Sequence, residues 1–289
     1  MSPSTKSPNK GKKTNKAKKK RDRGLSAGTA DRHELYQRSV NSPDTDVDFV
    51  TSAYEELRGK PLRRVREDFC GTAAFAAEFL SRHPENHVEG FDLDPEPCEW
   101  GKRHNFAPKG GDVAERMTWH LADVRSPADT PPEATVAFNF SYWCFHSRTD
   151  LLGYFRSVRD DLADDGVFFI DLYGGPDALI EQEEVRDIDG AFDYVWDQRC
   201  WEPGTGAYRT AIHFRFRDGS EMTNAFEYDW RLWNLSELRD VLLEAGFVSA
   251  DSYFEGTDPD DPEEGNGEFS ADPVGENCEA WLGYLVAKK

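Results

Sequence analysis

The chain has 289 residues, of which 38% are hydrophobic, and a formal net charge of −20. This length supports one well-buried domain, and the lack of any apolar run near 18 residues excludes a membrane-spanning helix. The charge is unevenly divided, because residues 1–23 carry ten Lys or Arg against one acid, and the rest carries 25 basic and 54 acidic residues. Since phosphate contacts need clustered Lys and Arg, nucleic acid could bind only through this basic tail.

The five cysteines are widely spaced and contain no C-x-x-C pair. Such spacing argues against a disulfide framework and against a zinc site, so we predict no metal. The N-terminus is basic, but no apolar segment follows it, as a secretory signal would require. These features predict a cytoplasmic protein with reduced thiols.

The first 172 residues are predicted to form a disordered segment and then an alternation of strands and helices. Residues 1–30 have almost no large apolar side chains and are predicted to be disordered. Helices are predicted at Val47–Leu57, Thr72–Arg82, Pro95–Asn105 and Thr149–Leu162. Strands are predicted at Leu62–Phe69, His87–Asp92, Glu115–Leu121, Thr135–Phe140 and Gly166–Leu172. This alternation is typical of a Rossmann-like, doubly wound α/β sheet with parallel strands.

The pattern changes near residue 185, where polar residues alternate with aromatic or apolar ones. Three such segments, joined by turn sequences, are Asp193–Trp201, Ala207–Arg217 and Glu221–Trp233. They predict an antiparallel β-meander inserted at about residues 190–233. The α/β pattern then resumes with a helix at Ser236–Ala245 and strands at Phe247–Phe254 and Trp281–Ala287. Residues 255–279, which hold ten acids and neither Lys nor Arg, are predicted to form a solvated acidic loop.

Candidate ligand-binding residues follow the first three strands. In open α/β sheets, ligands bind at the carboxyl ends of the strands. The first strand ends within residues 67–73, which lead directly into a helix whose free N–H groups can face a ligand. Asp92 ends the second strand, where a carboxylate can bind ribose hydroxyls, and Asp123 follows the third, where it can accept the adenine amino group. Residues 67–73 contain one glycine where a dinucleotide fingerprint needs three, so the pattern favours a nucleoside pocket over a nicotinamide site.

The ordered set of these motifs resembles the class I S-adenosylmethionine-dependent methyltransferases. The segments that carry the resemblance are EDFCGT at 67–72, GFDLD at 90–94, Asp123, GVFFID at 166–171 and EAGF at 244–247. The resemblance covers roughly residues 35–289. It implies a seven-stranded sheet whose last strand is antiparallel and lies between the fifth and the sixth. It also implies methyl transfer with S-adenosylmethionine as the cofactor.

The resemblance also implies which residues hold the cofactor. They are Glu67, Cys70, Gly71, Thr72, Asp92, Leu93, Asp123, the backbone of Val124, and Asn139. Glu67 and Asn139 would meet the methionine end, and Asp92 would bind the ribose. Phe69 and Ala73 depart from the family pattern, since they stand where its loop D-x-G-x-G-x-G has the first and third glycines.

The acceptor side is predicted from residues 140–146, an aromatic segment that follows the fourth strand. Aromatic faces there could hold a cationic donor or an ammonium acceptor, or could simply pack in the core. Tyr142 and His146 are the candidate general bases. The meander side chains that could line a substrate lid or pack beneath it are Tyr194, Trp196, Tyr208, His213 and Arg231.

Three functions are compatible with these features. The leading hypothesis is a methyltransferase that acts on a small-molecule acceptor. An RNA or protein methyltransferase tethered by the basic tail is the second, although the N/D-P-P-Y/F motif of many such enzymes is replaced by residues 139–142, Asn-Phe-Ser-Tyr. The third is a noncatalytic cofactor-binding module.

Overall fold

The computed structural model describes residues 24–257 and 265–289. The basic tail at 1–23 and part of the predicted acidic loop, 258–264, lie outside the described residues. The helices are α1 (Arg32–Ser39), α2 (Pro43–Arg58), α3 (Ala74–Arg82), α4 (Pro95–Gly101), α5 (Gly111–Ala114), α6 (Arg148–Asp161) and α7 (Leu235–Ala245). The strands are β1 (Arg64–Asp68), β2 (His87–Asp92), β3 (Met117–Leu121), β4 (Ala134–Ala137), β5 (Val167–Gly174), β6 (Gln182–Ile188), β7 (Phe192–Trp201), β8 (Ala207–Phe216), β9 (Glu221–Arg231), β10 (Ser249–Thr257), β11 (Gly265–Ala271) and β12 (Trp281–Lys288).

The large sheet has the strand order β11-β10-β12-β5-β4-β1-β2-β3. Strands β1 to β5 pair in parallel, and β12 runs antiparallel between β5 and β10. The predicted α/β fold with an antiparallel last strand is thereby confirmed. An eighth strand, β11, is added at the edge, so part of the predicted acidic loop is a strand paired with β10.

Helices cover both faces of the large sheet. Apolar side chains of α2 and α3 pack on one face, and those of α6 and α7 pack on the other. Each of these helices has one apolar stripe, as expected for helices that bury a single side. Within the described ranges, none of the helices is long and apolar enough to cross a bilayer.

The insertion between β5 and α7 is a separate antiparallel sheet with the order β6-β7-β8-β9. The three predicted strands correspond to β7, β8 and β9, and β6 precedes them. In β6, half-buried and exposed residues alternate, and most of them are charged or polar, so its sequence lacks the apolar alternation of a half-buried strand.

The N-terminal segment packs against the inserted sheet. Leu35 of α1 lies in one apolar cluster with residues of β7 and β8, and Leu25 and Ala27 pack against that cluster. The N–H of Ala27 donates to the hydroxyl of Ser220 at 2.9 Å. Residues 24–30 therefore form a packed turn, and the predicted disorder does not extend to residue 30.

Candidate functional site

A cavity of about 520 Å³ opens at the carboxyl edge of the large sheet. One side is formed by the loop after β1, which we call loop L1 (residues 67–73), together with Asp92 after β2 and Asn139 after β4. The other side is formed by α1, the start of α2 and residues 224–228 of β9. The cavity therefore lies between the parallel sheet and the insertion, where the strand order of an open α/β sheet reverses.

Loop L1 has a left-handed backbone at three alternate positions. The φ angles are 56° at Phe69, 50° at Gly71 and 51° at Ala73. These are the three positions at which the family pattern has glycine, the residue that adopts this region without strain. The chain thus keeps the glycine-type conformation with two side chains that disfavour it, at a cost of about 1 kcal/mol or more each.

Contacts from β2 and α4 hold loop L1 in this shape. The Asp92 carboxylate accepts the N–H of Gly71 at 2.7 Å and that of Asp94 at 2.9 Å. An added Cβ at Gly101 of α4 would collide with the carbonyl oxygen of Thr72, so the helix lies directly against the loop. Because Asp92 holds the loop and also lines the cavity, it links the ends of β1 and β2.

A buried charge network fixes the end of β1 below the loop. Arg66 Nε donates to Asp68 Oδ1 at 2.7 Å, and its Nη1 donates to Asp161 Oδ2 at 2.8 Å. The Tyr154 hydroxyl donates to the other oxygen of Asp68 at 2.8 Å. A buried ion pair with its hydrogen bonds satisfied orients the strand end strongly, since loss of one partner would leave an uncompensated charge.

A second strained turn follows β4. Asn139 and Phe140 both have φ of 57°. Their N–H groups donate to the two carboxylate oxygens of Asp171, at 2.7 and 3.0 Å. The Asp171 carboxylate on β5 therefore stabilises the backbone conformation that brings Asn139 to the cavity wall.

Carboxyl groups that are buried or half-buried surround this part of the cavity. Burial raises the pKa of Glu67 to about 8, that of Asp171 to about 7 and that of Asp46 to about 6. Burial also raises the pKa of Asp92. Glu67 and Asp46 line the cavity itself, where a ligand with positive charge would favour their ionised forms.

Helix α1 and strand β9 form a roof over the cavity. Tyr36 and Tyr228 both line the cavity and pack against the apolar cluster of the inserted sheet, and burial raises the pKa of Tyr36 to about 12. The ring of Phe226 lies 5.0 Å from that of Tyr36 and 5.8 Å from that of His33. These aromatic contacts join the two roof elements.

Helix α1 is also tied to loop L1 and to α4. Glu96 accepts hydrogen bonds from Arg32 Nη2 at 2.5 Å and contacts His33 Nε2 at 2.9 Å. The Trp100 indole N–H donates to Asp31 at 2.7 Å, and Gln37 donates to the hydroxyl of Thr72 at 2.7 Å. The roof is thus held at loop L1 and at α4.

The structure brings six of the nine predicted cofactor residues to the cavity wall: Glu67, Cys70, Gly71, Thr72, Asp92 and Asn139. Leu93 is 72% exposed directly after Asp92. Asp123 lies outside the cavity lining, paired with Arg125, which holds its pKa at about 2. Val124 is buried, and its carbonyl accepts a hydrogen bond from Arg66.

The two predicted bases are not at the cavity. Tyr142 is fully buried, its hydroxyl donates to the carbonyl of Asp171 at 2.8 Å, and burial raises its pKa well above the usual range. His146 is half exposed and its Nε2 lies 2.8 Å from the carbonyl oxygen of Asp229. Trp143 and Phe145 pack in the core cluster on the α6 face. Neither predicted base therefore lines the cavity.

The five meander residues singled out in the sequence lie behind the roof. Tyr194, Tyr208 and His213 are buried. Trp196 packs against the apolar clusters on the α6 face and in the inserted sheet, and the Arg231 guanidinium stacks on Trp233. The cavity wall is instead formed by residues 224–228.

Sequence reasoning missed the residues that line the cavity opposite loop L1, namely the roof residues Arg32, His33, Tyr36, Phe226 and Tyr228, and also Asn41 and Asp46. One local pattern does mark α1: Asp31 accepts the N–H groups of His33 and Glu34, and D-x-x-E is a helix-start signature. This pattern predicts where the helix begins, but it carries no information about what the helix covers.

No protein-family model and no curated protein matches the chain, whereas many solved structures do. An S-adenosylmethionine-dependent methyltransferase from Clostridium acetobutylicum is 16% identical, with 88% of this chain and 96% of that chain covered and a TM-score of 0.63. The amino pentose methyltransferase CalS10 from Micromonospora echinaspora, solved with S-adenosylmethionine bound, is 16% identical, with 89% and 95% covered and a TM-score of 0.62. The sugar N-methyltransferase KedS8 from Streptoalloteichus is 16% identical, with 100% and 98% covered and a TM-score of 0.59.

These similarities define the fold. The chain has the fold of the class I S-adenosylmethionine-dependent methyltransferases, since the matched regions span most of this chain and nearly the whole of the similar ones.

Proposed function

We propose that the protein is an S-adenosylmethionine-dependent methyltransferase that acts on a small-molecule acceptor. The observation that carries this proposal is loop L1, which has left-handed residues at all three glycine positions and lies beside Asp92 in a cavity lined by several carboxyl groups. A loop that keeps a strained shape at its own energetic cost is typical of a functional site.

The residues of the cavity fit this cofactor chemically. S-adenosylmethionine carries an ammonium and a sulfonium, and the latter supplies an electrophilic methyl group. Glu67 and Asp46 provide negative charge for the cationic end, and the backbone of loop L1 wraps it. The Asp92 carboxylate lies at the end of β2, where it can bind the ribose hydroxyls. Leu93 is exposed beside it, where it can pack on the adenine.

Asp123 and Val124 remain proposed for the adenine edge. Asp123 is exposed enough to exchange its Arg125 partner for a ligand, because a surface ion pair of this kind contributes little stability.

The roof supports acceptor binding on the opposite side of the cavity. Methyl transfer from a sulfonium requires mainly that the nucleophile is aligned and that water is excluded. Helix α1 and β9 can do both, since they close the cavity with aromatic side chains. The sugar and glycopeptide N-methyltransferases among the structurally similar proteins also support a small acceptor. The five free cysteines suit a reducing compartment, so we propose the cytoplasm as its location.

Calorimetric titration with S-adenosylmethionine tests the proposal. The wild type should bind, and Asp92→Ala should weaken binding about tenfold to a hundredfold, because a charged hydrogen-bond acceptor is lost. Asp240→Ala, an exposed position on α7 outside the cavity lining, should bind like the wild type. Transfer of a labelled methyl group into a small-molecule extract then tests turnover. Folded wild-type protein that binds no S-adenosylmethionine would contradict the proposal.

A further inference from the structure

The inserted sheet contains an irregularity directly beside the cavity. Residues 223–225 of β9, which we call the β9 bulge, stand opposite the single residue His213 of β8, and regular pairing resumes on both sides. Asn224, at the centre of the bulge, has φ of 53°. Because non-glycine residues rarely adopt this region, the surroundings must hold it there.

The side chain of His213 replaces the missing backbone partner. The N–H of Asn224 donates to Nδ1 of His213 at 2.8 Å. Since Nδ1 accepts this bond, the neutral ring carries its proton on Nε2, which donates to Asp197 Oδ2 at 3.1 Å. The His213 side chain is only 5% exposed, so both ring nitrogens are committed to protein partners.

Arg199 closes the network around the bulge. Its Nε donates to Asp197 Oδ2 at 2.7 Å, and its two other nitrogens donate to Asn224 Oδ1 and, at 2.9 Å, to Glu227 Oε1. The Asn224 amide also donates to Glu227 at 3.0 Å. Both the backbone and the side chain of Asn224 are therefore fixed from β7 and β8.

A metal ion is a poorer explanation of this cluster. Oxygen and nitrogen atoms of Glu183, Asp197 and His213 lie close enough together to share an ion. However, Nδ1 of His213 accepts an N–H and Nε2 carries the proton, while Arg199 and Arg215 already pair with the two carboxylates. The ligand atoms of Glu183, Asp197 and His213 are therefore already engaged by protein hydrogen bonds and ion pairs.

The bulge places one wall of the cavity. Asn224 and Phe226 line the cavity on the side opposite loop L1, and Phe226 then packs against Tyr36 of α1. If loop L1 and Asp92 bind the cofactor, the opposite wall, with Asn224 and Phe226, faces the methyl acceptor. Bulges commonly re-aim a strand next to an active site, and here the re-aimed residues are the wall itself.

Resting on the proposed function, we propose that His213 is a positioning residue for the methyl acceptor. Through the N–H of Asn224 it sets the wall formed by the β9 bulge, and so it determines which acceptor the cavity admits. It acts only through Asn224, since the ring itself does not line the cavity.

Two substitutions distinguish the roles of the two ring nitrogens of His213. In His213→Asn the carbonyl oxygen takes the place of Nδ1 and can still accept the N–H of Asn224. In His213→Gln the amide takes the place of Nε2 and reaches Asp197 instead. Each variant, as full chain, is compared by hydrogen exchange of the segment 221–228, by S-adenosylmethionine affinity, and by transfer of labelled methyl into a filtered small-molecule extract at increasing extract concentration.

His213→Gln should lose the exchange protection of the segment and raise the half-saturating extract concentration about tenfold, the cost of one buried hydrogen bond. Its cofactor affinity and its rate at saturating extract should change less than about twofold, whereas His213→Asn should resemble the wild type throughout. If His213→Gln does not fold, Asn224→Gly, which adopts the φ freely but loses the Arg199 and Glu227 contacts, should raise half-saturation by itself.

Equal behaviour of the two His213 variants would overturn the proposal, as would an unchanged half-saturating concentration in His213→Gln or, in its place, in Asn224→Gly. Failure of the proposed function is seen separately, as wild-type protein that neither binds S-adenosylmethionine nor transfers methyl. The exchange measurement uses no ligand, and in that case equal protection in both His213 variants still overturns the positioning role.

Discussion

At Gly71, adding a single methyl group should affect ligand binding and folding stability to different extents. An added Cβ would meet no atom closer than 4.0 Å, but φ is 50°, so Gly71→Ala should cost about 1 kcal/mol of unfolding free energy. The methyl would stand in the open cavity, and we expect S-adenosylmethionine binding to weaken at least about tenfold. Denaturant unfolding and calorimetric titration measure the two effects.

Ala73 provides the matched control for this prediction. Ala73→Gly relieves a left-handed alanine at φ of 51°, and the side chain lost is buried outside the cavity lining. The relief of strain and the loss of a buried methyl nearly cancel, so stability should stay within about 1 kcal/mol and binding should not change. Binding loss of similar size in both variants would show that loop shape, not cavity space, is what Gly71→Ala disturbs.

Asp171 is predicted to be essential for the turn after β4. An asparagine there offers one acceptor oxygen where Asn139 and Phe140 present two N–H groups, so Asp171→Asn leaves one of them unpaired. We expect a loss of about 1–3 kcal/mol in unfolding free energy and weaker S-adenosylmethionine binding, because Asn139 lines the cavity. Asp164→Asn, at an exposed position just before β5, should change neither quantity.

Among the secondary-structure elements, α1 gives the most direct test, because one residue of α4 holds two of its side chains. Glu96 binds Arg32 and His33, whereas Glu99 on the same helix pairs with Lys102. We therefore expect Glu96→Ala to speed hydrogen exchange in α1 and to weaken S-adenosylmethionine binding several-fold, and Glu99→Ala to do neither. If both variants exchange alike, the contacts of Glu96 do not hold α1, and its other contacts with Trp100, loop L1 and the inserted sheet are sufficient.

The elements also show what the sequence could and could not reveal. The parallel strands and their helices were predictable because each has its own apolar periodicity, and Asp92 and Gly71 because strand ends converge in such a sheet. Strand β6 was missed since its polar side chains bridge to other elements, as in the Arg186 bond to the carbonyl of Ser39. The roof and the β9 bulge were missed because they depend on contacts between residues far apart in the chain, such as Tyr36 with Phe226.

On the scale of the whole molecule, negative charge is concentrated in the body of the chain and reaches the cavity. Outside residues 1–23 the chain carries 25 basic and 54 acidic residues. Where such acids are buried together, as Glu67 and Asp46 are, each ionised carboxylate is costly and the groups hold protons to higher pH. The unliganded protein therefore keeps protons that a cationic ligand would displace.

This arrangement predicts opposite pH trends for stability and for ligand binding. The pKa of Glu67 is raised by burial from 4.5 to about 8, so the folded state holds more protons than the unfolded chain in that range. Stability of the unliganded protein should consequently fall as pH rises from about 5 to about 8.

S-adenosylmethionine affinity should instead rise over this range, since a cation favours the ionised carboxylates and releases their protons. Each proton released raises the affinity by up to about tenfold per pH unit. Titration calorimetry in buffers of different ionisation enthalpy counts the protons directly. Glu67→Gln should flatten the upper part of the affinity curve and release fewer protons. An affinity that is flat from pH 6 to pH 8, with no proton release in the wild type, would show that the buried carboxyl groups do not face the cationic end of the ligand.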